Sequence, residues 1–261
     1  MGWTDTSVCL THPGIDPAAG PDFVRTLEAM GVDSAWIFGY RAARSREFTL
    51  ENERVLDAAA ANPGKLAPIV LLDPNQAARD IDRLIERGAK GVKILTGHGE
   101  HWTPERIRRV LAPVARRVAE SNLHLSVALE GNVPSRGGGV YVPLMIREAC
   151  PGVVLVLDHC WSQYAWPDYI AVAEEDPALW LTLYDLPPRL INEIINRVGI
   201  SRCVLGSWYP EHDPRLVIDR VKNALNANAR TLASTFTLNA QRLLEGEHPR
   251  AQPASRRAAA A

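Results

Sequence analysis

Short apolar, β-branched runs alternate with amphipathic helical stretches from one end of this chain to the other, and that alternation leaves few folds open. The strand candidates are Asp5–Leu10, Ser34–Phe38, Leu66–Leu72, Gly91–Leu95, Leu123–Leu129, Val153–Asp158, Leu179–Leu183 and Cys203–Leu205. Helical spacing of apolar residues fills the intervals near Pro21–Met30, Leu50–Ala61, Asn75–Arg87, Pro104–Ser121, Val142–Ala149, Pro167–Glu175, Pro187–Val198 and Asp213–Asn226. Eight strand–helix units of about thirty residues each are the rhythm of a closed parallel (β/α)8, or TIM, barrel. Runs such as VVLVLD and APIVLL are apolar at nearly every position, as expected of strands covered on both faces. A doubly wound open sheet is the alternative, because periodicity does not reveal closure. With 261 residues, 46% of them hydrophobic, one large core is affordable as a single domain. The barrel is expected over residues 1–246. The tail 247–261, ending AQPASRRAAAA, lacks large apolar groups to bury and reads as disordered.

The stretch Thr103–Asn122 shows the helical logic. Thr103 suits the N-cap, Pro104 the first helical position, and Glu105 the positive end of the helix dipole. Ile107, Val110, Leu111, Val114 and Val118 recur on one face, and the arginines between them read as a solvated face.

Charge narrows the function classes. Twenty-nine Lys and Arg balance 30 Asp and Glu, so the basic stripe required by nucleic-acid binding is missing. Four cysteines without CxxC spacing predict reduced thiols in a cytoplasmic protein. The first residues, MGWTDTSVCL, lack a secretory pattern, and no apolar run approaches the roughly 20 residues needed to cross a bilayer. A small-molecule substrate is the expected partner, with neither nucleic acid nor membrane.

In a barrel the chemistry lies in the loops at the carboxyl ends of the strands. Those ends carry Cys9 to His12, Thr96 to His101, Glu130 to Gly139, His159 to Trp166, Tyr184 to Asp185, and Ser207 to Asp213. Trp102, Trp161, Trp166 and Trp208, joined by Tyr164, Tyr184 and Tyr209, form either ordinary core or a pocket for a ring or acyl group. Lys93 lies mid-strand in an apolar run. A buried ammonium is costly unless paired, so it either lines the mouth to hold an anion or meets a carboxylate. Cys9 is either a nucleophile or a buried structural thiol. Glu130 is either a general base or an exposed strand-end carboxylate. The loop Gly131–Val140 reads as a lid from which Arg136 reaches an anion.

Three stretches together resemble the amidohydrolase-related family of (β/α)8 barrels, which includes metal-dependent hydrolases and non-oxidative decarboxylases. Val153–Cys160 (VVLVLDHC) is similar to the sixth strand ending in a catalytic His. Val204–Pro210 (VLGSWYP) is similar to the eighth-strand Gly-Ser-Asp-Tyr-Pro motif, and Phe236–Leu244 (FTLNAQRLL) to the closing helix. The second and fourth strands fit at Gly31–Phe38 and Ala89–Leu95, so the likeness covers residues 4 to 246. It implies a metal held by a His-x-His pair on the first strand, often a fifth-strand His, and the eighth-strand Asp. Here Ser7 and Cys9 stand for the first pair, Ala128 or Leu129 for the fifth-strand His, and Trp208 for the Asp; a shifted alignment saves only His12. An indole offers a cation no lone pair. No metal and no other cofactor is therefore expected, although Cys9, Glu130 and His159 remain a chemically allowed replacement set.

The resemblance leaves His159 as the inherited acid/base, its imidazole suited to moving protons near neutral pH. Strand alternation then turns Asp158 to the opposite face, onto a helix or loop. The expected function is metal-independent acid/base chemistry on a small cyclic or aromatic organic acid: activated ester or lactone hydrolysis, elimination, decarboxylation or cyclisation. His159 and Glu130 would be catalytic, with Lys93, Arg136, Tyr184, Trp208, Trp161 and Cys9 around the substrate. The rival expectation is a catalytically inactive barrel that binds a ligand or partner. Related barrels pair, which implies a homodimer.

Overall fold

The computed structural model describes residues 2–12, 21–73, 77–96, 102–128, 138–158 and 166–247. Eight parallel strands follow one another in chain order around one sheet: β1 (Trp3–Thr11), β2 (Val32–Gly39), β3 (Leu66–Leu71), β4 (Gly91–Leu95), β5 (His124–Ala128), β6 (Val154–Asp158), β7 (Leu179–Leu183) and β8 (Cys203–Leu205). Helices α1 (Pro21–Ala29), α2 (Ala42–Ser45), α3 (Phe48–Ala61) and α4 (Ala77–Glu86) cover the first half. The second half is covered by α5 (Pro104–Arg106), α6 (Ala112–Glu120), α7 (Gly138–Ala149), α8 (Trp166–Glu175), α9 (Pro188–Arg197), α10 (Pro214–Leu225) and α11 (Ala229–Leu244). This is the (β/α)8 barrel that the sequence rhythm predicts.

The barrel closes between β8 and β1. Val8 bridges Tyr209 in parallel, Cys9 N–H donates to the Tyr209 carbonyl at 2.8 Å, and Trp208 N–H donates to the Ser7 carbonyl at 2.6 Å. Gly206 permits this approach: a Cβ there would stand 2.7 Å from Thr182 Cγ2 and 2.9 Å from Ser7 Cβ. Helix α11 is tied to the same seam by Asn239, whose amide donates to the carbonyls of Ile200 (2.7 Å) and Cys203 (2.8 Å).

Alternation along each strand divides two apolar layers. On β2, Trp36 and Phe38, with Tyr40 just beyond, join Ile69, Val156, Trp180, Val204 and Trp208 in one cluster inside the barrel. Ala35 and Ile37 instead join Val8, Phe23, Leu27 and Val55 between strands and helices.

The predicted helix over Pro104–Ser121 has a different interior. After the Thr103 cap, whose hydroxyl accepts from Arg106 N–H at 3.2 Å, residues Ile107–Leu111 form a π turn before α6 begins. Pro113 supplies the reason. It has no N–H for the Arg109 carbonyl, so the α ladder is broken there and the wider turn, closed by Ala112 N–H to the Ile107 carbonyl, takes its place.

Candidate functional site

Inward residues of β1, β4 and β6, with Trp208 just after β8, build a closed polar centre. Lys93 Nζ lies 2.6 Å from Asp158 Oδ2 and donates to Ser7 Oγ at 2.7 Å; Ser7 Oγ in turn donates to Asp158 Oδ2 at 2.9 Å. The ammonium sits 3.6 Å from the Phe38 ring centroid and 5.1 Å from that of Trp208, within cation–π reach of both. Trp208 Nε1–H points at Asp158 Oδ1 across 3.4 Å. Ser7, Lys93, Asp158 and Trp208 are all buried. Lys93 has therefore met a carboxylate, and its charge is compensated from within the barrel.

Asp158 corrects the sequence reading. It does not turn away onto a helix or loop but faces the interior as the counter-ion of Lys93. The error lay in fixing the face of Asp158 from the role assigned to His159; strand alternation supplies no reason to aim His159 inward.

Trp208 reaches the centre through unusual backbone. Its φ of 60° lies in the left-handed region, disfavoured for a bulky side chain, and such strain gathers at functional positions. The indole packs edge-on against Phe38 (5.2 Å) and Tyr40 (5.4 Å).

Asp5 forms the floor of the seam. Its Oδ1 accepts from Ser7 N–H at 3.1 Å and Ser207 N–H at 2.9 Å, whereas its buried Oδ2 has no hydrogen-bond partner among the described residues. Burial pushes this carboxyl up from 3.8 to about 6, only partly offset by hydrogen bonds from Ser207 and Ser7, and the negative charge of Asp158 adds to the rise.

The sequence candidates are distributed unevenly over this arrangement. Cys9 is a buried thiol without a disulfide, in the same interior cluster as Trp208. Tyr184 is buried 6.2 Å from Trp166, in the cluster between strands and helices rather than the one around Trp208. His159, Glu130, Arg136 and Trp161 lie outside the described residues.

At the carboxyl ends of the strands stand two His–carboxylate pairs that sequence reasoning passed over. His12 Nε2 lies 3.1 Å from Glu211 Oε1. His212 Nδ1 lies 3.8 Å from Asp185 Oδ2, a carboxylate also paired with Arg220 at 2.9 Å. Ser7 and Cys9, two residues apart on β1, both meet the interior as alternation predicts; the His–carboxylate pairing across the seam had no sequence signal.

The described donor set does not suit a divalent cation. Ser7 is committed to Lys93 and Asp158, Trp208 has no lone pair to give, and the ammonium would repel a second positive charge in the same space. Among the described residues no group of three or more His, Cys, Asp or Glu side chains is placed to hold a metal ion.

An eight-stranded parallel barrel with a buried polar centre defines the class. The chain belongs to the amidohydrolase family, whose model matches residues 11–246. A search of curated proteins found no match. Among solved structures, the barrel is similar to an uncharacterized TIM-barrel protein of Bordetella bronchiseptica, with 17% identity, TM-score 0.72, and coverage of 94% of this chain and 99% of that one. It is also similar to 5-carboxyvanillate decarboxylase of Sphingomonas paucimobilis (14% identity, TM-score 0.67, 94% and 99% covered). A third is dihydroxybenzoic acid decarboxylase of Polaromonas sp. JS666, solved with manganese and the inhibitor 2-nitroresorcinol (11% identity, TM-score 0.67, 95% and 98% covered). At these identities the likeness concerns the fold. No helix among the described residues is long and apolar enough to cross a membrane.

Proposed function

We propose that this barrel is a metal-independent enzyme that acts by acid/base chemistry on a small cyclic or aromatic organic acid. The observation that carries the reading is the Trp208–Lys93–Asp158 centre. An indole stands where the family resemblance calls for the metal-binding Asp, a tethered ammonium lies beside it, and Phe38, Tyr40 and Trp208 make the surrounding interior aromatic. Decarboxylases of ring-bearing acids among the structural neighbours support that substrate class. Without a metal to bring water's pKa near 7, amide hydrolysis is unfavourable, and the accessible reactions are those of activated esters, lactones or other substrates needing only proton transfer. His159 and Glu130 are the proposed catalytic groups, with Arg136 and Trp161 closing over the substrate; a cytoplasmic homodimer belongs to the same proposal.

Metal analysis of the purified protein tests it. The expectation is metal well below one ion per chain and turnover of aromatic esters or lactones that survives EDTA; stoichiometric zinc, manganese or iron overturns it. His159→Ala is expected to abolish that turnover.

One observation favours the second reading, a non-catalytic ligand-binding barrel: Trp208 is fully buried against Phe38 and Tyr40 and fills the centre. Binding of aromatic acids without turnover of any panel member would select it.

A further inference from the structure

Seven junctions between neighbouring strands, from β1–β2 round to β7–β8, are registered parallel ladders. The eighth, where β8 returns to β1, carries among the described residues an isolated bridge, Val8 to Tyr209, in place of a ladder. Side chains take over part of the pairing there. Asp5 Oδ1 accepts from Ser7 N–H at 3.1 Å and from Ser207 N–H at 2.9 Å, so one carboxyl spans both sides of the seam. Thr6 Oγ1 donates to the Leu205 carbonyl at 2.9 Å.

The cause lies in β1, which slips against β2 twice. Asp5 pairs with Ala35 and Val8 with Ile37, so three steps on β1 match two on β2. A second slip follows, with Cys9 on Phe38 and Thr11 on Gly39. Each extra residue is a bulge that interrupts the even spacing a ladder with β8 requires. Strand β8 itself ends after three residues, at Leu205.

This closure is marginal. Asp5 is buried, its Oδ2 has no hydrogen-bond partner among the described residues, and the charge of Asp158 opposes its ionisation. Parting of the seam hydrates that oxygen and relieves the penalty of burying it. Segments held by few backbone hydrogen bonds open locally before the rest of a fold does. The two sides of the seam also carry different covers of the ion pair. Ser7, on β1, bonds Lys93 and Asp158, whereas Trp208, just after β8, lies over Lys93. Separation of the two sides draws the indole away from Ser7 and uncovers Lys93 and Asp158.

We propose that the β8–β1 seam is a gate, which parts locally while the other seven junctions stay paired, with Asp5 and Thr6 as its latch. It supplies a path to a centre that the closed barrel buries. A catalytic and a ligand-binding barrel need that path alike, so the gate stands or falls separately from the enzyme reading.

Two buried thiols report the opening. Cys9 lies in the interior cluster with Trp208, and Cys203 in the cluster between strands and helices. Parting of the seam bares Cys9, whereas Cys203 is reached only when helices leave the sheet. The full-length native protein is treated with iodoacetamide, and alkylation of each thiol is followed by peptide mass spectrometry. Cys9 is expected to react about 100-fold faster than Cys203, or more. Equal rates would mean that the seam opens only with global unfolding, and would overturn the gate. Asp5→Ala removes both amide contacts and is expected to speed Cys9 labelling about tenfold or more. Thr6→Val keeps the side-chain shape and fold, loses one hydrogen bond, and is expected to speed it about three- to tenfold. Cys9 labelling at the wild-type rate in Thr6→Val, or in a folded Asp5→Ala, would overturn the latch.

Discussion

Lys93→Met keeps most of the side-chain volume and removes only the charge, so it isolates the electrostatics of the barrel centre. In the wild-type chain, unit charges 2.6 Å apart attract by about 6 kcal/mol at an effective dielectric of roughly 20. Desolvation of both groups offsets most of that attraction. The variant loses the attraction but keeps Asp158 buried, with Ser7 Oγ at 2.9 Å and the Trp208 indole at 3.4 Å as its side-chain donors among the described residues. The expected loss of stability is about 3–5 kcal/mol, the usual cost of stranding one partner of a buried pair. In a chain of this size it lowers Tm by roughly 6–20 °C. Lys93→Met combined with Asp158→Leu removes both charges and should recover most of the loss. Urea unfolding monitored by circular dichroism compares the three proteins. A single variant within 1 kcal/mol of wild type, on the ~3 kcal/mol scale expected here, would refute the picture of a mutually dependent pair. So would a double variant as unstable as the single one.

Two further outcomes follow from the seam. The folded-state pKa of Asp5, about 6 against an ordinary 3.8, means that the native chain holds a proton the unfolded chain releases in that interval. Its contribution is full below pH 3.8 and lost as pH rises through 6, by up to about 3 kcal/mol. Asp5→Asn should flatten that slope in urea titrations between pH 4 and 7; an unchanged slope would remove Asp5 as its source. Gly206→Ala places a methyl 2.7 Å from Thr182 Cγ2 and 2.9 Å from Ser7 Cβ, and should cost about 1–3 kcal/mol by thermal unfolding.

The fold was legible because its signals are local. Gly91–Leu95, Leu179–Leu183 and Cys203–Leu205 match the observed strands residue for residue, since each is an apolar run bounded by turn residues. Asn239 was readable only as part of a family-like pattern; its reason is tertiary, two carbonyls beside β8 that need a donor. The break in the helix after Arg106 was also legible in principle, because Pro113 lacks the N–H a continuous helix requires. The bulge in β1 was not, since nothing local in CLTH marks where pairing with β2 slips.

The site divides along the same line. That Trp208 stands where the family resemblance calls for an Asp is a one-residue statement, and the fold puts its indole in the interior cluster beside Lys93. What fills the vacated place is not, because Lys93, Asp158 and Ser7 come from β4, β6 and β1 and meet only when the barrel closes. An ion pair there joins a cation that sequence reasoning left between an anion and a carboxylate to an Asp that it aimed the wrong way. With those groups committed to each other and packed beneath an indole, the described part of the barrel centre is closed. The bulge in β1 turns Thr11 toward Glu51 and sets the His12 ring 5.3 Å from that of Tyr40. A single extra residue in one strand thus decides whether an imidazole faces solvent at the rim or packs beside Tyr40.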